Sequence, residues 1–355
     1  MDSLVRMLEQ REAAHDVAAA FFDNWEEASI GCFGVSVVVC TYRRPSSVIK
    51  FLHSLEQFES RQYPVLVIDA SPDEQTELTL RRWYAESKNT RPLAYVRVGI
   101  RLRGLTRQRN FALRLVPTDL VCFFDDDVKL MSDCVTEMER AFRDARGKLA
   151  GIAALIVNQP RKPTSLWRLR RALGMIAHLH PGTYHGSGLS VPWGYVSDSD
   201  RIVIGDWIPG GCALWNTARA RVVGFCEGFS TYSQAEDLEF STRMRQEGEL
   251  AVATGARVVH LHETGGREPQ FRLGYMAIRN RFHIHRQRFR NHRLLYTLWF
   301  TYAWSLDTLM LGRHVIVPRR TLETLEHIAG RLAATFDLLV GKPDRLLLVN
   351  GSKHA

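Results

Sequence analysis

The hydrophobic run Val121-Cys122-Phe123-Phe124 ends on three consecutive carboxylates, Asp125-Asp126-Asp127. Four apolar residues without alternation predict a strand buried on both faces, which restricts the chain to folds that cover a sheet on both sides. Three like charges at the end of such a strand repel one another unless a cation neutralises them. Carboxylate oxygens suit Mg²⁺ or Mn²⁺, which also bind phosphates. In open α/β sheets the ligand crevice lies outside the carboxyl ends of the strands, so the run points to a metal and a diphosphate at one sheet edge. The plainer reading is a solvated turn, with Asp127 or Ser132 capping the next helix.

The elements around this run alternate. Val35–Cys40 predicts a buried strand, broken by Thr41-Tyr42-Arg43-Arg44-Pro45 and followed by a helix to about Phe58. A strand at 65–69, a helix at 74–86, a strand at 94–98, a glycine turn at Gly104 and a helix through Asn110–Leu115 lead into the acidic strand. This order predicts an α/β fold with a mostly parallel, helix-flanked sheet and polar groups at its carboxyl edge. Leu4, Met7, Leu8, Val17, Phe21 and Trp25 stand at helical spacing and predict an N-terminal amphipathic helix within residues 1–30. A strand at Ile152–Val157 precedes a stretch rich in Pro, Arg, Gly and His, residues 158–200, whose length suits a lid. Glu236 opens a helix that closes on Gly248, and Val258–His262 predicts a strand with His260 and His262 on one face. Residues 31–265 thus read as one catalytic domain and 266–355 as a helical extension.

The six cysteines show no C-x-x-C pair, which suits reduced thiols in a cytoplasmic protein, and Asp2, Arg6, Glu9, Arg11 and Glu12 do not have a signal-peptide layout. A net charge of +9 is concentrated at Arg161–Arg171 and Arg279–Arg293 and calls for an anionic partner: a nucleotide diphosphate, a membrane surface or nucleic acid. Leu294–Leu311 is apolar apart from hydroxyls and Asp307. A mid-segment acid disfavours insertion, so this segment reads either as an interfacial helix on an anionic cytoplasmic leaflet or as a buried helix. A nucleic-acid binder would leave the acids of 125–127 and 236–237 unexplained, and no nucleic-acid module is recognisable.

In order along roughly residues 35–265, these segments resemble the family 2 glycosyltransferases of the GT-A fold. Val35–Pro45 resembles the family's first strand and turn, which implies Thr41 and Arg43 at the nucleotide sugar. Val67-Ile68-Asp69 is similar to the acidic strand end that faces the base and ribose, although Ala70 stands where many relatives carry a second acid. Gly104–Asn110 resembles the Arg-Asn helix start near the donor, implying donor contacts for Arg107, Arg109 and Asn110. Asp125, Asp126 and Asp127 stand at the D-x-D position. Gly210-Gly211 resembles the glycine segment before the acceptor loop, Glu236-Asp237 the catalytic acid pair, and His260 a further metal ligand, with His262 as its substitute. The long 158–200 segment matches no part of the family.

The resemblance implies transfer of a sugar from a nucleotide-sugar donor to a hydroxyl of a glycan or lipid-linked acceptor, by inversion, with Mg²⁺ or Mn²⁺ held by Asp125, Asp127 and His260. A carboxylate must take the acceptor proton, and Asp237 just inside a helix N-terminus suits that role, with Glu236 holding the acceptor or orienting Asp237. A helix N-terminus should keep Asp237 ionised and ready. Each residue also has a structural reading: first-turn acids for Glu236 and Asp237, a core histidine for His260, a turn cap for Asp69. Trp207 and Trp215 suit either sugar stacking or the core. A sugar nucleotidyltransferase would share the sheet and the metal acids, but it would want a glycine- and lysine-bearing loop where Thr41–Pro45 stands.

Overall fold

The computed structural model describes residues 17–23, 25, 34–86, 91–197, 200–229, 233–263, 268–312 and 321–342. Ten strands form one mixed sheet: β1 (Val17–Asp23), β2 (Val35–Thr41), β3 (Val65–Asp69), β4 (Leu93–Val98), β5 (Leu120–Asp125), β6 (Val128–Leu130), β7 (Leu149–Ile156), β8 (Ile202–Gly205), β9 (Cys212–Asn216) and β10 (Glu249–His260). The order is β1-β4-β3-β2-β5-β9-β7-β10-β6, with β8 also on β10. β4, β3, β2 and β5 form a parallel block. The helices α1 (Pro45–Phe58), α2 (Gln75–Glu86) and α3 (Leu105–Leu115) connect these strands as crossovers.

Two cores cover the faces of the sheet. Val37, Val39, Phe51, Leu55, Phe124 and Met138 belong to one, while Val38, Phe111, Phe123, Trp215 and Phe240 belong to the other. The alternation of Phe123 and Phe124 between cores is why the strand before the triple acid carries no polar residue. Further helices of this unit are α4 (Cys134–Asp144), α6 (Thr217–Val223) and α7 (Glu236–Met244). Neither Asp127 nor Ser132 caps α4. Its first amides donate to Glu59, from Val135 N at 2.5 Å and from Thr136 N at 3.4 Å.

Two sequence expectations fail here. Val17–Asp23, expected to be helical, is a strand antiparallel to β4, with Phe21 stacked on Tyr95; the Val-Ala-Ala-Ala-Phe-Phe run gains more from completing the sheet edge than from its helical spacing. The rest of the expected helix lies outside the described residues, except Trp25. Residues 158–200 are not one lid. The part Pro163–Val191 packs with Gly228–Ala235 and the described residues from 268 onward as a second compact unit.

That unit contains α5 (Ser165–Ala172), α8 (Gln270–Arg288), α9 (Arg293–Leu311) and α10 (Thr321–Leu339). Its own core joins Met175, Ile176 and Leu189 to Tyr275, Ile278, Phe300, Trp304 and Ala334, which is why the Pro- and Gly-rich segment folds here. α8 and α10 touch backbone to backbone: a Cβ on Gly274 would overlap the His327 carbonyl, and one on Gly330 the Phe271 carbonyl.

Candidate active site

The parallel register sets Thr41 beside Asp69 and Cys40 beside Asp125, so three neighbouring strands deliver polar residues to one carboxyl edge. The three acids there take different surroundings. Asp125, one-third exposed, accepts from Arg109 Nη2 at 3.1 Å. Asp126 is buried and accepts from Thr41 Oγ1 at 2.7 Å and Arg44 Nη1 at 3.1 Å. Burial outweighs those bonds and pushes its carboxyl up to about 6. Asp127 accepts from Glu263 N at 3.1 Å and meets His260 Nε2 at 3.0 Å. Burial opposes its ionisation, but the bond and charge of His260 prevail and hold it below the ordinary carboxylate range.

Oxygens of Asp125 and Asp127 and a ring nitrogen of His260 lie within 4.8 Å of one another. Two carboxylates and one imidazole at that spacing fit a divalent cation of the Mg²⁺ or Mn²⁺ kind. Asp126 points instead to Thr41 and Arg44, outside the trio. His260 ends β10, and His262 lies beyond the strand at φ +54°, so the two do not share a strand face as expected. Their rings nonetheless stand 4.1 Å apart, centroid to centroid.

The second acidic pair opens α7. Glu236 is mostly buried and accepts from Arg109 Nη1 at 3.1 Å. Burial, with the charge of Asp237, pushes the Glu236 carboxyl above its ordinary range. Asp237 Oδ1 accepts from Leu238 N at 2.8 Å. Arg109 therefore touches both acidic groups and also donates to Gly210 O at 3.1 Å. Its guanidinium is 1 % exposed and packed against the Phe123 and Phe225 rings.

Gly210 and Gly211 fill the space between these groups. A Cβ at Gly210 would stand 2.9 Å from Asp237 Cβ and 3.0 Å from Arg109 Nη1, and one at Gly211 would overlap the Asp125 carboxylate. Asp125 N in turn donates to Gly211 O at 3.0 Å.

Other expected donor contacts have internal partners. Asp69 is fully buried: Ser71 N and Oγ donate to Oδ1, and the Tyr95 hydroxyl to Oδ2, which is the turn-capping alternative. Asn110 exchanges hydrogen bonds with the backbone of Phe225. Thr41 is buried under Asp126, and Arg107 donates to Arg101 O. Arg43 has φ +55° and is exposed, whereas the neighbouring Arg44, which sequence reasoning passed over, reaches Asp126 and Asp127. Trp215 is core, against Gly151 and Phe240, so it cannot stack on a sugar. Trp207 is half-buried, and its carbonyl accepts from Trp193 Nε1. Glu263, held by Lys50 and Ser47, was also missed; no motif marks it.

Residues 36–176 match the family model described as glycosyl transferase family 2. No curated protein sequence matches the chain. Among solved structures, the mannosyltransferase PcManGT from Pyrobaculum calidifontis, in complex with GDP-Man and Mn²⁺, is similar over 86 % of this chain and 87 % of that one, at 15 % identity and a TM-score of 0.53. GalNAc-T7 with UDP, GalNAc and Mn²⁺ is similar over 87 % of this chain and 58 % of that one, at 14 % identity and a TM-score of 0.56. At such identities the two likenesses speak for the fold, and the family match spans the acidic strand. Residues 36–176 are thus similar to the family 2 glycosyl transferases, within a chain that shares the fold of these two solved glycosyltransferase structures.

Proposed function

We propose that the enzyme transfers a sugar from a nucleotide-sugar donor to a hydroxyl acceptor by a single, inverting, metal-dependent displacement. The observation that carries this reading is the convergence of two acidic groups on one buried cation: Asp125 and Glu236 both meet Arg109 at 3.1 Å. Two carboxylate sites at one sheet edge suit the two charges the reaction handles, the departing diphosphate and the acceptor proton. Asp125, Asp127 and His260 would hold Mg²⁺ or Mn²⁺, which when bound supplies positive charge to the leaving diphosphate. Arg44 adds a cation on the same side. Asp237 takes the acceptor proton, and Glu236, fixed by Arg109, positions Asp237 or the acceptor. Trp207, Gly210 and Gly211 border the acceptor side. Asp237→Asn is expected to lower turnover by at least ~10²-fold while nucleotide binding persists; near-normal turnover would remove Asp237 as the base. A panel of UDP, GDP, dTDP and CMP sugars, scored by thermal shift with Mn²⁺ and with chelator, identifies the donor.

The acceptor is a glycan or lipid-linked molecule, and the setting is surface polysaccharide or glycolipid assembly at the cytoplasmic face of a membrane. No helix among the described residues is long and apolar enough to cross a bilayer. The support for a peripheral anchor lies in α9. Leu294, Leu295, Leu298, Tyr302 and Leu309 are exposed, and the helix starts at the exposed Arg293. Its acid, Asp307, is buried and paired with Arg170 and Arg331, so no acidic charge lies on the outer face. Failure to sediment with anionic vesicles would remove the anchor.

A further inference from the structure

The helix α10 has one face committed to its own unit. Gly330 and Ala334 are buried there, Arg331 donates to Asp307 Oδ2 at 3.0 Å, and Asp337 accepts from Tyr275 Oη at 2.9 Å. The opposite face is apolar and uncovered. Leu322 is 70 % exposed, Leu332 59 %, Phe336 57 % and Leu339 81 %, and Leu325 and Ala329 are exposed with them. Positions 322, 325, 329, 332, 336 and 339 advance by alternating steps of three and four. That is the a/d spacing of a heptad, which presents a continuous seam to a second helix.

The alternating spacing reads the same in both directions. A twofold axis passing between Gly330 and Arg331 sets Leu322 against Leu339, Leu325 against Phe336 and Ala329 against Leu332. Each a position then faces a d position, as an antiparallel pair requires, and the surface is self-complementary, as an isologous dimer requires. The same pairing brings the second copy's Lys342 within about one turn of Glu323. We propose that α10 pairs antiparallel with α10 of a second copy of this chain. Six apolar side chains exposed side by side along one helix face form a contiguous patch rather than the scattered single residues usual on a monomer, which marks an association surface. Its exposed flanking charges on the first two turns, Glu323 and Glu326, are acidic and repel an anionic bilayer, in contrast to the arginine at the start of α9.

The full chain in lipid-free buffer is expected to show twice its 40.6 kDa mass by light scattering at micromolar concentration. The double variant L332E/F336E is expected to run as a monomer with an unchanged circular dichroism spectrum and a melting temperature that no longer depends on concentration, because neither side chain is packed in the core. The second variant, A329C/L332C, keeps the stripe apolar and is expected to form an oxidation-dependent covalent dimer that the wild-type cysteines do not give. A wild-type monomer at all concentrations, or a dimer that survives L332E/F336E without cross-linking in A329C/L332C, overturns the proposal. So does loss of vesicle binding in L332E/F336E with no change in mass, which would make the stripe a lipid contact.

Discussion

Arg109 is the residue on which the site depends for its charge balance. A guanidinium removed from water is tolerated because two carboxylates and a carbonyl meet it, and each carboxylate is tolerated because of the guanidinium. Arg109→Met should therefore destabilise the fold by roughly 3–5 kcal/mol, read as a lowered denaturant midpoint, because it strands Glu236 next to Asp237. Arg109→Lys keeps the charge but not the fork, and should retain stability better than turnover. The sequence made Asp125, Asp127 and Glu236-Asp237 legible through their places at a strand end and a helix start. It could not reveal the partner of Arg109: an arginine near a donor site looks the same whether it awaits a phosphate or already serves two acids. For the same reason Arg43 stood out and Arg44 did not, since one backbone angle at Arg43 decides which of two adjacent arginines faces the acids.

A second prediction at this scale concerns His285, which is buried, has no hydrogen-bond partner for either ring nitrogen among the described residues, and lies among Phe282, Phe289 and Phe300. Burial pushes the imidazole down to about 4. Its folded value thus lies below that of the unfolded chain, ~6.5, so the folded state binds fewer protons. Stability is complete above about pH 6.5 and is lost as the pH falls toward 4. His285→Phe should flatten that loss, measured as the urea midpoint at pH 5 and pH 7; an unchanged slope would assign the acid sensitivity elsewhere.

At the scale of elements, periodicity read the buried strands well and the edge strand badly. β2, β3, β5 and β7 are almost wholly apolar because both faces are covered, and that unbroken pattern made them readable as strands. β1 sits at the sheet margin, where a Val-Ala-Phe run fits either period and only the neighbour β4 decides. The helical run from Arg279 to Gly312 divides into α8 and α9 at Phe289–His292, a break marked by neither proline nor glycine and therefore not visible in advance. The glycines of α8 and α10 were equally silent, because their role is an approach of two backbones. Gly330→Ala should cost roughly 1–3 kcal/mol of stability, since the added methyl meets the Phe271 carbonyl rather than a movable side chain. Calorimetry checks this, and an unshifted melting temperature would mean the helices part without penalty.

At the scale of the whole molecule, the alternation of strands and helices up to Asp125 was enough to expect an α/β sheet with a polar carboxyl edge. The helices beyond residue 266 were expected as a separate extension, but their joining with Pro163–Val191 was not legible, because the shared core joins residues about a hundred positions apart, such as Met175 and Tyr275. Ligand linkage gives the prediction here. A nucleotide that binds the folded chain with Mn²⁺ at 100 times its Kd should add about 2.7 kcal/mol of stability, and chelator should abolish the gain. An equal gain without metal would detach the donor site from Asp125 and Asp127.

The glycine between Arg109, Glu236 and Asp237 has one more consequence. With no room for a single carbon at Gly210 against Asp237, nor at Gly211 against the Asp125 carboxylate, the main chain itself separates the acids of α7 from the end of β5. Side chains cannot rotate to widen that interval. The site has in effect a ruler made of peptide rather than of rotamers, and it holds only while both of these positions stay without a side chain.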